Sequence, residues 1–164
     1  MTMPVHGEKL PESAAGELLA SNKKTVACAE SCTGGLLTSR LTDVPGSSAY
    51  VKGAVVSYTD EVKAEVLGVR RETLAAVGAV SKETAAEMAE GARKKLGADY
   101  ALSVTGNAGP GISEEKPLGL VYIGIASADE TVVHEFRFTG TRHEIKEAAA
   151  DEALYMLCRA LKKG

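Results

Sequence analysis

Three side chains able to act as nucleophiles, Ser31, Cys32 and Thr33, follow one another where a strand-like run meets two glycines. The run Thr25-Val26-Ala27-Cys28-Ala29-Glu30 favours a strand, and Leu36-Leu37-Thr38-Ser39-Arg40-Leu41, beyond Gly34 and Gly35, has helical spacing. A chain that leaves a strand and enters a helix within a few residues exposes backbone N–H groups, where partial positive charge favours a phosphate, a carboxylate or a developing oxyanion. Gly34 and Gly35 allow the tight turn and let a ligand approach the backbone. Nucleophiles on other strand-to-helix turns share this setting, but Ser and Thr are equally the usual helix caps.

A nucleophilic serine needs a base. His6, His134 and His143 fall in an N-terminal tail, a hairpin strand and the first turn of a helix, so no histidine suits a Ser-His-Asp arrangement. A buried lysine can lose its proton and serve instead, and Lys63 falls one turn into a helix just past a strand end, beside Tyr58. The other reading of Lys63 is a solvated surface charge. Glu30 and Asp60 are candidate orienting groups, with Asp60 equally an N-cap. Thr105-Gly106-Asn107-Ala108-Gly109-Pro110-Gly111 is a second glycine-rich loop at a strand end, either a backbone nest for an anion or a tight connection. Neither G-x-x-x-x-G-K-[ST] nor a full G-x-G-x-x-G occurs, which disfavours nucleoside-triphosphate and dinucleotide sites. Arg142 opens the last helix within reach of a phosphate or as a surface charge.

The elements that position these residues are legible in order. Helices are expected over residues 11–22, 34–42, 60–67, 71–77, 82–96 and from Thr141 to the C-terminus, where Thr141 and Glu144 have capping-box spacing. Strands are expected over 25–30, over a largely buried run 54–58, over 99–105, and in a hairpin of 118–127 with 131–138. The fold class is α/β: a tail of residues 1–10, then one domain over 11–164 with a mixed, mostly parallel sheet and helices on both faces. Ligands in such sheets bind beyond the carboxyl ends of the strands, where the loops after Glu30, Tyr58 and Thr105 meet.

Composition narrows the class further. The 164 residues are 45% hydrophobic and 25% charged with a formal charge of −3, which fits a globular domain and argues against a nucleic-acid or anionic-membrane partner. No apolar run reaches membrane-spanning length, and Met1 to Gly7 lack the order of a secretory signal, so a cytoplasmic protein is expected. Cys28, Cys32 and Cys158 lack zinc-site spacing and fit reduced thiols.

Six motifs taken together resemble the CinA C-terminal domain family, which includes a stand-alone nicotinamide mononucleotide amidohydrolase. They are Ala29-Glu30-Ser31-Cys32-Thr33-Gly34-Gly35, Gly46-Ser47-Ser48, Tyr58 with Lys63 and Leu67-Gly68-Val69, Gly78-Ala79-Val80-Ser81, Thr105-Gly106-Asn107-Ala108-Gly109-Pro110, and Glu114-Glu115-Lys116-Pro117-Leu118-Gly119. The resemblance implies hydrolysis of the carboxamide of nicotinamide mononucleotide to nicotinate mononucleotide and ammonia, without metal or cofactor, by a homo-oligomer. It places the serine nucleophile on Ser31 and the lysine base on Lys63, supported by Tyr58 and Thr105. The pyridine mononucleotide would be bound by Thr33, Gly34, Gly35, Ser48, Gly106, Asn107, Ala108, Gly109 and Arg142, with oxyanion donors among the N–H groups of 33–35. Asn107, Thr141 and Lys146 stand where the family usually has isoleucine, aspartate and arginine. The alternative from another class is a nucleotide-binding or regulatory module that keeps the crevice without turnover.

Overall fold

The computed structural model describes residues 9–111 and 114–163, so expectations for the tail before Lys9, with His6, and for Ile112 and Ser113 lie outside the described residues. Within them the chain runs α1 (Pro11–Asn22), β1 (Val26–Glu30), α2 (Leu36–Thr42), β2 (Val51–Val56), α3 (Asp60–Leu67), α4 (Arg71–Val77), α5 (Lys82–Leu96), β3 (Tyr100–Gly106), β4 (Leu120–Ala126), β5 (Thr131–Arg137) and α6 (Arg142–Lys163). The sheet order is β2-β1-β3-β4-β5; β1 is parallel to β2 and β3, and β4 is antiparallel to both of its neighbours. Four strands therefore point one way and β4 opposes them.

Alternation along the strands divides the core between the two faces. Val26, Cys28, Leu102, Val104, Ile123 and Ile125 pack with α1, α2 and α6, whose buried Leu154, Leu157 and Leu161 each contribute roughly 1.5–3 kcal/mol. Ala27, Ala29 and Ala101 face α5 through Met88 and Ala92. The strand side chains on this second face are small, and α5 lies close: a Cβ on Gly124 would stand 3.1 Å from the Ala85 carbonyl oxygen.

Local chemistry sets the helix ends. Thr59 caps α3 by accepting from Val62 N–H at 3.2 Å, Ser81 caps α5 by accepting from Thr84 N–H at 3.2 Å, and Gly68 and Gly97 close those helices in the left-handed region. Thr141 and Glu144 form the expected reciprocal box at the start of α6.

One strand differs from expectation. The segment expected as a buried strand over 54–58 is an edge strand over 51–56, half-exposed, with a register shift opposite Val26 and Ala27. An apolar run identifies a strand but not how many neighbours it has, and β2 has only β1. Ser57 makes the last ladder bond, donating its N–H to Glu30 at 2.7 Å, before the chain turns into α3.

The connection after β1 passes to the α6 face and the connection after β2 to the α5 face, which opens a crevice beyond the carboxyl ends of β1 and β2. No helix among the described residues is long and apolar enough to cross a membrane.

Candidate active site

Ser31 is the first residue past β1, and its backbone is fixed because its N–H donates to the Val104 carbonyl at 2.9 Å. Lys63 lies in the second turn of α3, with its side chain folded under the end of β2. Its Nζ donates to Ser31 Oγ at 2.9 Å and to the Ser57 carbonyl at 2.8 Å, and only 1% of the residue is exposed. Burial lowers the Lys63 pKa against the opposing pull of Asp60, Cys32 and Glu114, so the neutral amine is favoured relative to an ordinary lysine. A neutral amine within hydrogen-bond distance of a serine hydroxyl can accept its proton as the oxygen attacks an electrophile.

A cavity of about 250 Å³ opens above this pair. Of the expected site residues, Ser31, Lys63, Tyr58, Thr105, Gly106, Asn107, Ala108 and Arg142 all line it. Thr105 is buried and donates its hydroxyl to the Ala79 carbonyl at 2.8 Å, tying β3 to the segment before α5. Tyr58 is exposed at the rim, where its hydroxyl accepts from Arg142 Nη2 at 2.8 Å, while Arg142 Nη1 donates to the Gly109 carbonyl at 2.6 Å. Asn107 pins its own loop, accepting from Gly109 N–H at 3.3 Å and donating to the Lys116 carbonyl at 3.2 Å.

Five residues expected to bind substrate stand elsewhere. Thr33, Gly34 and Gly35 do not line the cavity, because the carboxylate of Glu30 occupies the start of α2. It accepts from the Thr33 hydroxyl and from the N–H groups of Gly35, Leu37 and Thr38, and Gly34 N–H donates to the Ser31 carbonyl. An anionic substrate group cannot take donors already held by an anion of the chain. Ser48 is exposed in a 3-10 turn (Ser47–Ala49) before β2, at the opposite end of the sheet from Ser31. Gly109 contributes through its carbonyl bond to Arg142 and does not line the cavity.

The amide of Cys32 has no acceptor among the described residues, and Cys32 lines the cavity, so a free N–H donor stands one residue before the expected set of 33–35. Glu30 is a helix-capping group, and Asp60, displaced from the cap position by Thr59, faces the cavity.

Glu114 is the residue that sequence reasoning missed. It comes from the loop before β4, where the sequence offers it only within a family motif and gives it no role at the site. In the structure it lines the cavity and accepts from Ala79 N–H at 2.8 Å and Val80 N–H at 3.1 Å. Burial raises its pKa, but those two N–H groups and Lys116 outweigh this and hold it below the usual carboxylate range. Lys116 Nζ reaches the carbonyls of Val77 and Val80, so the loop straps residues 77–80 against the site.

The sequence profile of the CinA C-terminal domain matches residues 8–161. The chain belongs to this family. It is 54% identical to a CinA-like protein of Endomicrobium trichonymphae over 91% of this chain and 35% of that protein. It is 50% identical to a putative competence-damage inducible protein of Halothermothrix orenii over 96% of this chain and 39% of that protein. The chain thus spans little more than a third of the length of these curated relatives.

Solved structures match it along nearly their whole length. A CinA superfamily protein from Klebsiella pneumoniae superposes with a TM-score of 0.91 at 32% identity, covering 94% of this chain and 97% of that one. The competence/damage inducible protein CihA from Agrobacterium tumefaciens gives 0.87 at 40% identity, covering 99% of both. Against the usual CinA pattern, Thr141 keeps the cap on α6, and Asn107 supplies a buried amide that fastens its loop. Lys146 points at Gly34, with its Nζ 3.8 Å from where a Cβ there would stand, and does not line the cavity.

Proposed function

We propose that this CinA-family chain is an amidohydrolase that converts nicotinamide mononucleotide to nicotinate mononucleotide and ammonia through a Ser31–Lys63 pair. The observation that carries the reading is the 2.9 Å contact between Ser31 Oγ and the Nζ of a lysine that is 1% exposed. Few lysines are buried to that degree, and this one touches a potential nucleophile in a cavity.

In the proposed sequence Ser31 Oγ attacks the carboxamide carbon while Lys63 Nζ takes its proton. The N–H group of Cys32 holds the negative oxygen of the tetrahedral intermediate. Collapse breaks the C–N bond, and the proton on Lys63 passes to the departing ammonia. Lys63, neutral again, accepts a proton from the water that attacks the acyl-serine, then returns it to Ser31 Oγ as the product acid leaves. Thr105 holds Ala79 against the cavity, and Arg142, held at the rim by Tyr58 and Gly109, receives the phosphate.

Ammonia release from nicotinamide mononucleotide by the purified chain tests the reading. Release that vanishes in Ser31→Ala and Lys63→Ala is expected, and full release by Ser31→Ala overturns the mechanism. Calorimetric binding of the mononucleotide by the unmodified chain without ammonia release would assign the cavity to a regulatory module instead.

A further inference from the structure

Asp60 stands one turn before Lys63 on α3, so the two side chains share a helix face, and both line the cavity. None of the ion pairs among the described residues includes Asp60. The other ionisable groups lining the cavity are differently placed. Glu114 is tied to two N–H groups and lies 3.5 Å from Lys116; Arg142 is anchored at the rim by Gly109 and Tyr58. Lys63 is shifted towards its neutral form, and burial pushes the Cys32 thiol up to about 12, so it carries no charge. Among the described residues the cavity therefore holds one carboxylate that no cation of the chain approaches within ion-pair distance, beside the pair that would meet the carboxamide.

An uncharged ring gains nothing from that carboxylate. A ring with positive charge does, and N-substitution of a pyridine carboxamide creates that charge. The Cβ atoms of residues three apart on a helix stand roughly 5–6 Å from each other. A ring presenting its carboxamide to Ser31, which touches Lys63, is thereby held close to Asp60.

We propose that Asp60 is a specificity-determining residue that selects for positive charge on the substrate ring, so that the cavity takes N-substituted pyridinium carboxamides in preference to their reduced, uncharged dihydropyridine forms. The identity of the ring rests on the amidohydrolase reading; the preference for charge rests on the cavity. The same carboxylate favours departure of the product, because hydrolysis replaces a neutral carboxamide with an anion next to Asp60. Attraction across this distance at a solvent-facing site is worth roughly tenfold in binding.

Binding, not turnover, is the cleaner readout, since reduction of the ring also makes the carboxamide less electrophilic. Calorimetry in the Ser31→Ala background, where bound substrate stays intact, compares nicotinamide mononucleotide with its 1,4-dihydro form. The oxidised form is expected to bind about tenfold more tightly, and Asp60→Asn to remove that preference while leaving affinity for the reduced form unchanged. Asp60→Glu, which keeps the charge, is expected to keep the preference.

Equal affinity for the two ring states, or a preference that survives Asp60→Asn, overturns the proposal. So does equal weakening of both forms by Asp60→Asn, which would give Asp60 to the ribose hydroxyls, or loss of the preference in Asp60→Glu. The ammonia assay on the unmodified chain separates the two readings. Charge preference without ammonia leaves Asp60's role standing and removes the hydrolase; ammonia without preference does the reverse; and failure of both ring forms to bind removes the proposal.

Discussion

Glu30 accepts both the backbone N–H and the hydroxyl of Thr38, at 2.9 and 2.5 Å, from a position eight residues earlier. Its other oxygen takes the Thr33 hydroxyl and the N–H groups of Gly35 and Leu37, so five donors converge on a fully buried carboxylate. Glu30→Ala leaves three N–H groups at the start of α2 without a partner, and is expected to lower the unfolding free energy by about 3–5 kcal/mol. Glu30→Gln keeps one acceptor and should lose less. Urea denaturation with an unchanged slope checks both.

Lys63 is shifted down mainly by burial. Between that lowered value and the ordinary lysine range the unfolded chain binds more protons than the folded one, so stability rises with pH across the window. Lys63→Met removes this dependence and should raise stability by about 1–3 kcal/mol, while lowering ammonia release about ten-thousandfold. The unmodified chain's kcat/KM should climb with pH along a limb whose midpoint lies below that of an ordinary lysine. A limb absent from the unmodified chain, or retained in Lys63→Met, would take the base role away from Lys63.

Gly91 lies inside α5, where an added Cβ would stand 1.8 Å from the Leu67 carbonyl oxygen at the end of α3. Backbone cannot yield as a side chain can. Gly91→Ala is expected to cost about 1–3 kcal/mol and to push α3 away from α5, lowering kcat because α3 carries Lys63. Thermal unfolding and steady-state kinetics measure the two effects.

Arg142 joins the start of α6 to Tyr58 and to the Gly109 loop. With phosphate bound at its guanidinium, Arg142→Lys loses the planar fork and should raise KM for the mononucleotide about tenfold. Nicotinamide riboside, which has no phosphate, should be a poor substrate for the unmodified chain and no poorer for the variant. An equal loss on both substrates would place the phosphate elsewhere.

Cys32 is next to Ser31 and lines the same cavity, but burial pushes its thiol up to about 12. A thiol so seldom ionised at pH 8 reacts slowly with a disulfide reagent. Thiol titration should therefore proceed slowly in the folded chain and at once in denaturant, and Cys32→Ala should retain most ammonia release. Loss of release in Cys32→Ala with the fold intact would transfer the nucleophile's role from oxygen to sulfur.

The alternation of elements, the α/β class, the cap at Thr141 and the pairing of Ser31 with Lys63 as candidates were legible from the chain alone. Capping and periodicity are local, so a residue and its near neighbours suffice to show them; the two candidates came from the strand-end turn and the family motifs. What the chain could not show was which distant group reaches each local feature. The glycine turn after β1 offers N–H donors to any anion, and only the folded molecule reveals that Glu30 already holds the Gly35 and Leu37 N–H groups and the Thr33 hydroxyl. Ser48 and Ser31 look alike as small polar residues next to strands, yet parallel pairing of β1 with β2 sends them to opposite ends of the sheet. Glu114 gains its place because a loop from beyond β3 folds back onto residues 79 and 80. Such convergence depends on strand order and chain crossing, and spacing along a sequence records neither.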